Sequence, residues 1–177
     1  MTVRMTLSVL SLSLACVAAG GAAMAQTSLA PPYVSYAAKF VCGPEASDSA
    51  GAAGTYATAI NIHNPQSTVA VTFRKKFVLA NEEGATVGRI VVKNDSLKPD
   101  IAERVDCPLI EKALDVSAAT LSDGFVIIEV APLPGTTAAG FQPDLDVVGV
   151  YTSRGTGKNI ASSSIDIVPY TGKAITK

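Results

Sequence analysis

The sequence contains no tryptophan, one histidine and three cysteines, and neither a CxxC nor a GxSxG motif occurs in it. With a single histidine, a zinc site built from several histidines is excluded, and a nucleophile-elbow hydrolase is not indicated. The absence of tryptophan removes the core residue typical of antibody domains and the strongest side chain for stacking on sugars. The formal net charge of −1 at pH 7 gives no reason to expect nucleic acid as a partner. We predict no cofactor and no metal.

Residues 1–25 have the pattern of a bacterial signal peptide. Arg4 supplies one positive charge, residues 6–21 are apolar and rich in small side chains, and Ala23-Met24-Ala25 is an A-x-A cleavage site. The apolar run is too short to be a convincing membrane span, and no later segment is long and apolar enough to cross a bilayer. We therefore predict cleavage after Ala25 and export of residues 26–177, as one domain, to the periplasm or the cell exterior.

Processing would leave two of the three cysteines. Cys42 and Cys107 form an even pair in an oxidising compartment, where a disulfide is the default expectation. A metal or redox pair is the alternative, but it lacks a CxxC spacing and histidine partners. Cys16 leaves with the signal peptide, unless the weak lipoprotein-like box Ser13-Leu14-Ala15-Cys16 makes it a lipid anchor; the apolar region continues past it to the better site at Ala25.

Apolar and polar residues alternate with a period of two along most of the exported chain, which is typical of half-buried antiparallel strands. Arg74 and Lys76 fall on the solvent side of this pattern, and Ile90 and Val92 on the inner side. We predict a short connector helix over 108–114 and a central strand over the nearly apolar 124–131. The spacing indicates an all-β sandwich or barrel, and a sandwich is favoured because one disulfide could join an early strand to a middle one. The eight predicted strands cover 33–42, 55–63, 68–79, 87–93, 101–107, 124–131, 145–152 and 164–170.

Four segments resemble an uncharacterised family of small secreted bacterial proteins. They are YAAKFVCG at 36–43, GTYATAINIHNP at 54–65, GFVIIE at 124–129 and LDVVGVYT at 145–152. The resemblance covers nearly all of residues 26–177. It implies an antiparallel immunoglobulin-like β-sandwich and a Cys42–Cys107 bridge, and it implies no catalytic residues.

His63 would have to serve any Ser-His-Asp triad, since the chain has no other histidine. It ends a predicted strand and is followed by Asn64-Pro65, a pair that favours a turn. The simpler interpretation is a histidine at a strand end whose neighbouring asparagines hold the turn. Contact with a ligand remains the alternative.

Asp144 and Asp146 lie on one face at the start of a predicted strand. Together with Asp123 or Asp166 they could supply the hard oxygen ligands that calcium prefers. The EF-hand spacing is missing, so the simpler interpretation is that these carboxylates are solvated and protect a strand end.

Glu129 is the one charged residue in an otherwise apolar run. Burial there would raise its pKa, as in general acids, but no second carboxylate can be placed beside it. The simpler interpretation is a surface glutamate paired across the sheet with lysine or arginine.

Arg74-Lys75-Lys76 is a compact basic run, with Lys75 expected on the core side or at an edge. Arg74 and Lys76 could contact an acidic partner such as a surface polysaccharide. The alternative is that these charges lie on an edge strand and block aggregation.

The five tyrosines could stack on sugars or pack in the core; they are Tyr33, Tyr36, Tyr56, Tyr151 and Tyr170.

These patterns predict an exported, non-enzymatic binding or structural module whose partner is a protein or glycan of the cell envelope. Such a domain acts through loops, here 44–53, 132–143 and 153–162, or through a strand edge. A carbohydrate- or calcium-binding accessory domain is the alternative. A small hydrolase using His63 or Glu129 is less favoured.

Overall fold

The structure is a computed structural model that describes residues 33–46, 52–81, 89–131, 145–155 and 163–175. The predicted signal peptide, Cys16 and Asp144 lie outside these residues. The whole of the loop at 132–143, half of that at 44–53 and most of that at 153–162 also lie outside them. Within the described residues the elements are β1 (Tyr33–Glu45), β2 (Gly54–His63), β3 (Val71–Leu79), β4 (Ile90–Leu97), β5 (Ala102–Asp106), α1 (Cys107–Leu114), β6 (Ser122–Val130), β7 (Asp146–Gly155), β8 (Ser163–Tyr170) and β9 (Lys173–Ile175).

All the described strand pairs are antiparallel, and the strand order is β4-β3-β6-β1-β2-β7-β8, with β5 beside β2 and β9 beside β1. The prediction of an antiparallel all-β protein with one short helix is confirmed. The sheet is open, with β4 and β8 as its terminal strands, so the immunoglobulin-like sandwich stays a prediction. The central position of β6, between β3 and β1, agrees with its apolar sequence.

The sheet consists of two halves that meet where β1 pairs with β2 over residues 43–45 and 54–56. The β6 half contains β4, β3, β6, β1 and β9, and the β7 half contains β5, β2, β7 and β8. Buried side chains of both halves form one hydrophobic core. We call the face that carries these core residues the inner face and the opposite one the outer face.

Strand β1 follows the predicted alternation along its whole length. Its inner-face residues are all buried, which contributes about 1.5–3 kcal/mol for each large apolar side chain; they are Val34, Tyr36, Ala38, Phe40 and Cys42. In β2, Thr58, Ile60 and Ile62 are buried in the same way. These positions follow the period-two alternation predicted for both strands.

The helix α1 begins with an aspartate cap followed by a proline. The Asp106 carboxylate accepts a 3.4 Å hydrogen bond from the Leu109 backbone N–H, and Pro108 occupies the first turn, where its missing N–H costs nothing. Asp115 ends the helix with a left-handed backbone, φ 51°. Ile110 and Leu114 are fully buried, so the helix packs against the core through one side.

The disulfide between Cys42 and Cys107 is present, with the two Cα atoms 5.6 Å apart. It links β1 of the β6 half to the first residue of α1, which directly follows β5 of the β7 half. The bridge therefore joins the two halves covalently across the core.

Strand β4 turns toward the core the face opposite to the one predicted. Ile90 is 42% exposed and Val92 is half-buried, whereas Leu97 is buried and Val91 packs against the core. The reason is the register with β3, which sets Val91 opposite the core residue Phe77. The short strand β9, which pairs with residues 33–35, was not predicted at all.

Candidate functional site

His63 lies between two carboxylates. Its Nδ1 atom is 3.1 Å from Asp146 Oδ2 and its Nε2 atom is 3.4 Å from Asp100 Oδ1. The hydrogen bond with Asp146 is the main reason that the pKa of His63 lies above its ordinary value of 6.5. Burial lowers this pKa, and the hydrogen bond with Asp100 raises it further. Both ring nitrogens thus face acids, and within the described residues no serine, threonine or cysteine forms a hydrogen bond with the ring.

Asn64 holds the turn that follows His63. Its side-chain amide donates to the carbonyls of Val69, Leu97 and Lys98 at 2.9 to 3.1 Å, and its Oδ1 accepts from the Gln66 N–H. The residue is fully buried, so these bonds are needed to satisfy its polar atoms. This arrangement agrees with the interpretation of His63 as a strand-end residue beside an asparagine-stabilised turn.

The alternative of a calcium cage gains no support from the residues that the structure describes. Asp146 is engaged with His63, and Asp123 pairs with Lys39 at 3.4 Å. Among the described parts of the chain, no group of three or more histidine, cysteine or acidic residues could hold a metal ion.

Glu129 is buried rather than at the surface, and its side chain is 2% exposed. It lies directly opposite Arg74 in the β3–β6 ladder. Arg74 Nε donates to Glu129 Oε2 at 2.7 Å, Arg74 Nη2 donates to the same oxygen, and Lys76 Nζ donates to Oε1 at 3.0 Å. The predicted cross-strand pairing is therefore confirmed, and the carboxylate is neutralised by two cations.

The prediction that Arg74 points into solvent is wrong, because the residue is only 7% exposed. Strand β3 lies between β4 and β6 and is not a sheet edge, so its charges do not guard one. Lys75 does point to the core side. There its ammonium contacts Asp95 of β4 at 2.7 Å and also Glu103 of β5, which links the two halves of the sheet. Burial raises the pKa of Asp95, but the hydrogen bonds from Lys75 and from the Ser96 N–H, together with the charge of Lys75, outweigh burial, and the pKa lies below its ordinary value.

The free edge of β1 is completed by side chains of the β7 half. Thr58 Oγ1 accepts from the Val41 N–H at 2.9 Å and donates to the Val41 carbonyl at 3.0 Å. Tyr151 donates to the Lys39 carbonyl at 2.6 Å, and the Tyr170 hydroxyl accepts from the Lys39 N–H at 3.3 Å. These hydroxyls take the place of a neighbouring strand.

Tyr151 and Tyr170 also form a hydrogen bond with each other. Burial, followed by this bond, raises the pKa of Tyr151 above its ordinary value, so the phenol is neutral at physiological pH. A side chain at Gly149 would place its Cβ 2.9 Å from the Tyr151 hydroxyl and 3.0 Å from the Tyr170 ring. The glycine is therefore what allows the two tyrosines to meet over β7.

A cleft opens beside these tyrosines on the inner face of β2, β7 and β8. It consists of a pocket of about 250 Å³ and an adjoining one of about 210 Å³, which share Tyr56, Ser153 and Ser164. We call this the hydroxyl cleft. Six of its polar lining residues come from alternate positions of three neighbouring strands, and Thr152, Arg154 and Ser163 also line it; the six are Tyr56, Thr58, Tyr151, Ser153, Ser164 and Asp166.

Sequence reasoning singled out Tyr56 and Tyr151 as possible sugar platforms but missed the hydroxyl residues around them. Ser153, Ser164 and Thr58 share one face because each lies an even number of residues from a tyrosine or Asp166 on its own strand. A search for hydroxyl side chains in phase with the tyrosines would have found them.

The outer face of β8 carries two large apolar side chains in solvent. Ile165 is 70% exposed and Ile167 is 63% exposed, more than any other large hydrophobic residue of the described chain. Both lie on the terminal strand, whose second backbone edge pairs with no described strand.

Among the described residues, no helix has the length and apolar character required to cross a membrane. The chain matches no protein-family model, and no curated protein and no solved structure is significantly similar to it.

Proposed function

We propose that the protein is an exported, non-enzymatic binding module that takes up an extended segment of a protein partner along the edge of β8 that pairs with no described strand. The observation that carries the proposal is the exposure of Ile165 and Ile167 on a terminal strand. Strand addition suits such a site, because main-chain hydrogen bonds give affinity and alternate side chains give specificity. Export is supported by the signal-peptide pattern and by the disulfide.

The two terminal strands differ in a way that favours β8. Strand β4 carries the exposed Lys93 and also Asp95, and charges of this kind discourage further strand pairing. Strand β8 has one charged residue, Asp166, and its outer face presents the two isoleucines. Pro169, which lacks an N–H, limits pairing to the earlier part of the strand.

A partner of different sequence fits this edge better than a second copy of the chain. Antiparallel pairing of β8 with its own copy, in the register that sets Ile165 opposite Ile167, would also set Asp166 opposite Asp166. Like charges directly opposite each other are destabilising. The expected partner segment therefore has two apolar side chains two positions apart and no acidic residue between them.

We also propose that the two sheet halves form an immunoglobulin-like sandwich. The shared core, the disulfide and the Thr58–Val41 hydrogen bonds support this arrangement.

The test compares capture of envelope and culture-medium proteins by three forms of residues 26–177. We expect the wild type to bind one partner saturably and an Ile165→Lys/Ile167→Lys variant to bind it at least tenfold more weakly. Burying an isoleucine contributes about 1.5–3 kcal/mol, and 1.4 kcal/mol corresponds to a factor of about ten in affinity. The matched control is Ile90→Lys on the other terminal strand, which should bind as the wild type does.

Retention of the same partner by the β8 variant at wild-type affinity would contradict the proposal. Concentration-dependent dimerisation that the β8 variant abolishes, without any other partner, would assign the edge to self-association instead. Because Ile165 and Ile167 are exposed, the variant should keep the wild-type unfolding temperature.

A further inference from the structure

We infer that the hydroxyl cleft, on the inner face of β2, β7 and β8, is a second binding site. We infer further that it takes neutral sugar rings of a glycan. Ser164 and Asp166 line the cleft, whereas their neighbour Ile165 points to the outer face. The site is thus separate from the β8 edge and does not depend on the function proposed for it.

The dimensions of the cleft suit a short stretch of oligosaccharide. Its two pockets of about 250 and 210 Å³ adjoin through Tyr56, Ser153 and Ser164, and together they fall within the range of about 300–1,000 Å³ typical of small-molecule sites. Two connected pockets offer space for more than one ring. A glycan segment therefore fits better than a single small metabolite.

The polar groups in the cleft match the hydroxyl groups of a sugar. Ser153 and Ser164 are hydrogen-bonded to each other at 2.7 Å, and each hydroxyl keeps further capacity as an acceptor. Asp166 forms no hydrogen bond or ion pair with the described residues, so its two carboxylate oxygens can accept from adjacent sugar hydroxyls. Hydrogen bonds to an ionised acceptor are the stronger kind.

The charge of the larger pocket selects against acidic sugars. Asp166 is the one charged residue among those that line it, whereas Arg154 lines the smaller pocket. In the larger pocket a carboxylate on the ligand would be repelled by Asp166 and would contact no cation. Neutral sugars are therefore expected to bind there in preference to uronic acids.

Two aromatic rings are held in place before any ligand arrives. Tyr151 is fixed by its hydrogen bond to the Lys39 carbonyl, and Tyr56 by one to the Ala52 carbonyl. Rings that are already ordered lose little conformational freedom on binding, and they present the apolar area that the C–H faces of sugars require.

The experiment titrates residues 26–177 with neutral hexasaccharides of glucose, mannose and N-acetylglucosamine, and with oligogalacturonate as the acidic comparison. Binding is followed by calorimetry and by amide NMR shifts. We expect saturable binding of at least one neutral oligosaccharide, with shifts at Tyr56, Ser153 and Ser164, and weaker binding of oligogalacturonate. Asp166→Ala should weaken binding about tenfold, because a hydrogen bond to a charged group is lost.

Ser164→Val provides a second variant, which fills the junction of the two pockets without touching the core. The matched control is Ile165→Lys, next to it on the opposite face, which should bind the sugar normally even though the proposed protein partner is lost. Absence of binding to every neutral oligosaccharide at millimolar concentration would overturn the inference. Wild-type affinity in both cleft variants, or equal binding of oligogalacturonate, would overturn it as well.

Discussion

Charged side chains in the middle of this sheet are stabilised by pairing with one another. Glu129 is in the central strand, where leaving a carboxylate uncompensated would cost several kcal/mol, roughly 3–5. Arg74 and Lys76 of the next strand both donate to it. The basic run therefore has a structural use that its sequence alone did not indicate.

We predict that Glu129→Gln destabilises the fold by about 3 kcal/mol, because the charge that neutralises Arg74 and Lys76 is removed in a buried setting. Urea unfolding followed by circular dichroism measures the change. The control is Asp123→Asn, which breaks the exposed pair with Lys39 and should cost less than about 1 kcal/mol. Equal stability losses in the two variants would show that the buried Glu129 pairing contributes no more to stability than the exposed Asp123–Lys39 pair does.

The burial and the pairing of these charged residues could be predicted from the sequence only in part. Alternation gave the side of the strand on which Glu129 lies and the type of its partner, since lysine and arginine are its natural cross-strand neighbours. Its burial depended on which strands flank β6, and that is a long-range property. For the same reason Arg74 could not be recognised as a buried residue.

Strand β1 shows how an element can have a polar edge without a strand beside it. Beyond residues 43–45, its edge toward the β7 half is completed by hydroxyl groups of Thr58, Tyr151 and Tyr170. These side chains satisfy both the N–H and the carbonyl of Lys39 and of Val41. The two halves of the sheet are joined there by side chains rather than by a ladder.

We predict that Thr58→Val destabilises the protein by about 1–3 kcal/mol, because the shape is kept while the Val41 N–H and carbonyl lose their partner. Thermal and urea unfolding measure the effect. Thr72→Val, at an exposed position of β3, is the matched control and should change stability by less than about 0.5 kcal/mol. If Thr58→Val leaves the stability unchanged, water satisfies the Val41 N–H and carbonyl as well as threonine does.

The elements themselves were largely predictable. The β1 and β2 assignments were correct because their apolar alternation is strong, β6 because its sequence is almost wholly apolar, and α1 because Pro108 marks a recognisable first turn. Strand β4 was placed correctly along the chain but turned to the wrong face, because Ile90 and Val92 are apolar residues that the β3 register sets outward. The cleft could not be predicted, because it depends on which of the strands become neighbours.

At the scale of the described molecule, a disulfide and an ion-pair cluster connect the halves of the sheet in addition to the β1–β2 ladder and the hydroxyl contacts. One is the Cys42–Cys107 disulfide, which spans a sequence separation of 65 residues. The other is Lys75, whose ammonium lies between Asp95 and Glu103. The disulfide is the stronger link, because it restricts the unfolded chain over a long loop.

We predict that a Cys42→Ala/Cys107→Ala variant loses about 4 kcal/mol of stability relative to the oxidised wild type, in the chain-entropy description of loop closure. Denaturant unfolding of the oxidised protein and of the variant gives the difference. Wild type reduced with dithiothreitol is the control, and its unfolding midpoint should move toward that of the variant. Unfolding midpoints that coincide in all three samples would show that the bridge does not contribute to stability.

The contrast between the two terminal strands determines what kind of assembly the protein can form. If a partner segment adds to β8, the new outer edge belongs to the partner, while the β4 end still carries Lys93 and Asp95. Growth at the β4 end is opposed by these charges, which disfavours a filament of copies joined through β4 and β8. The expected complex is closed, with one partner segment for each copy of the protein.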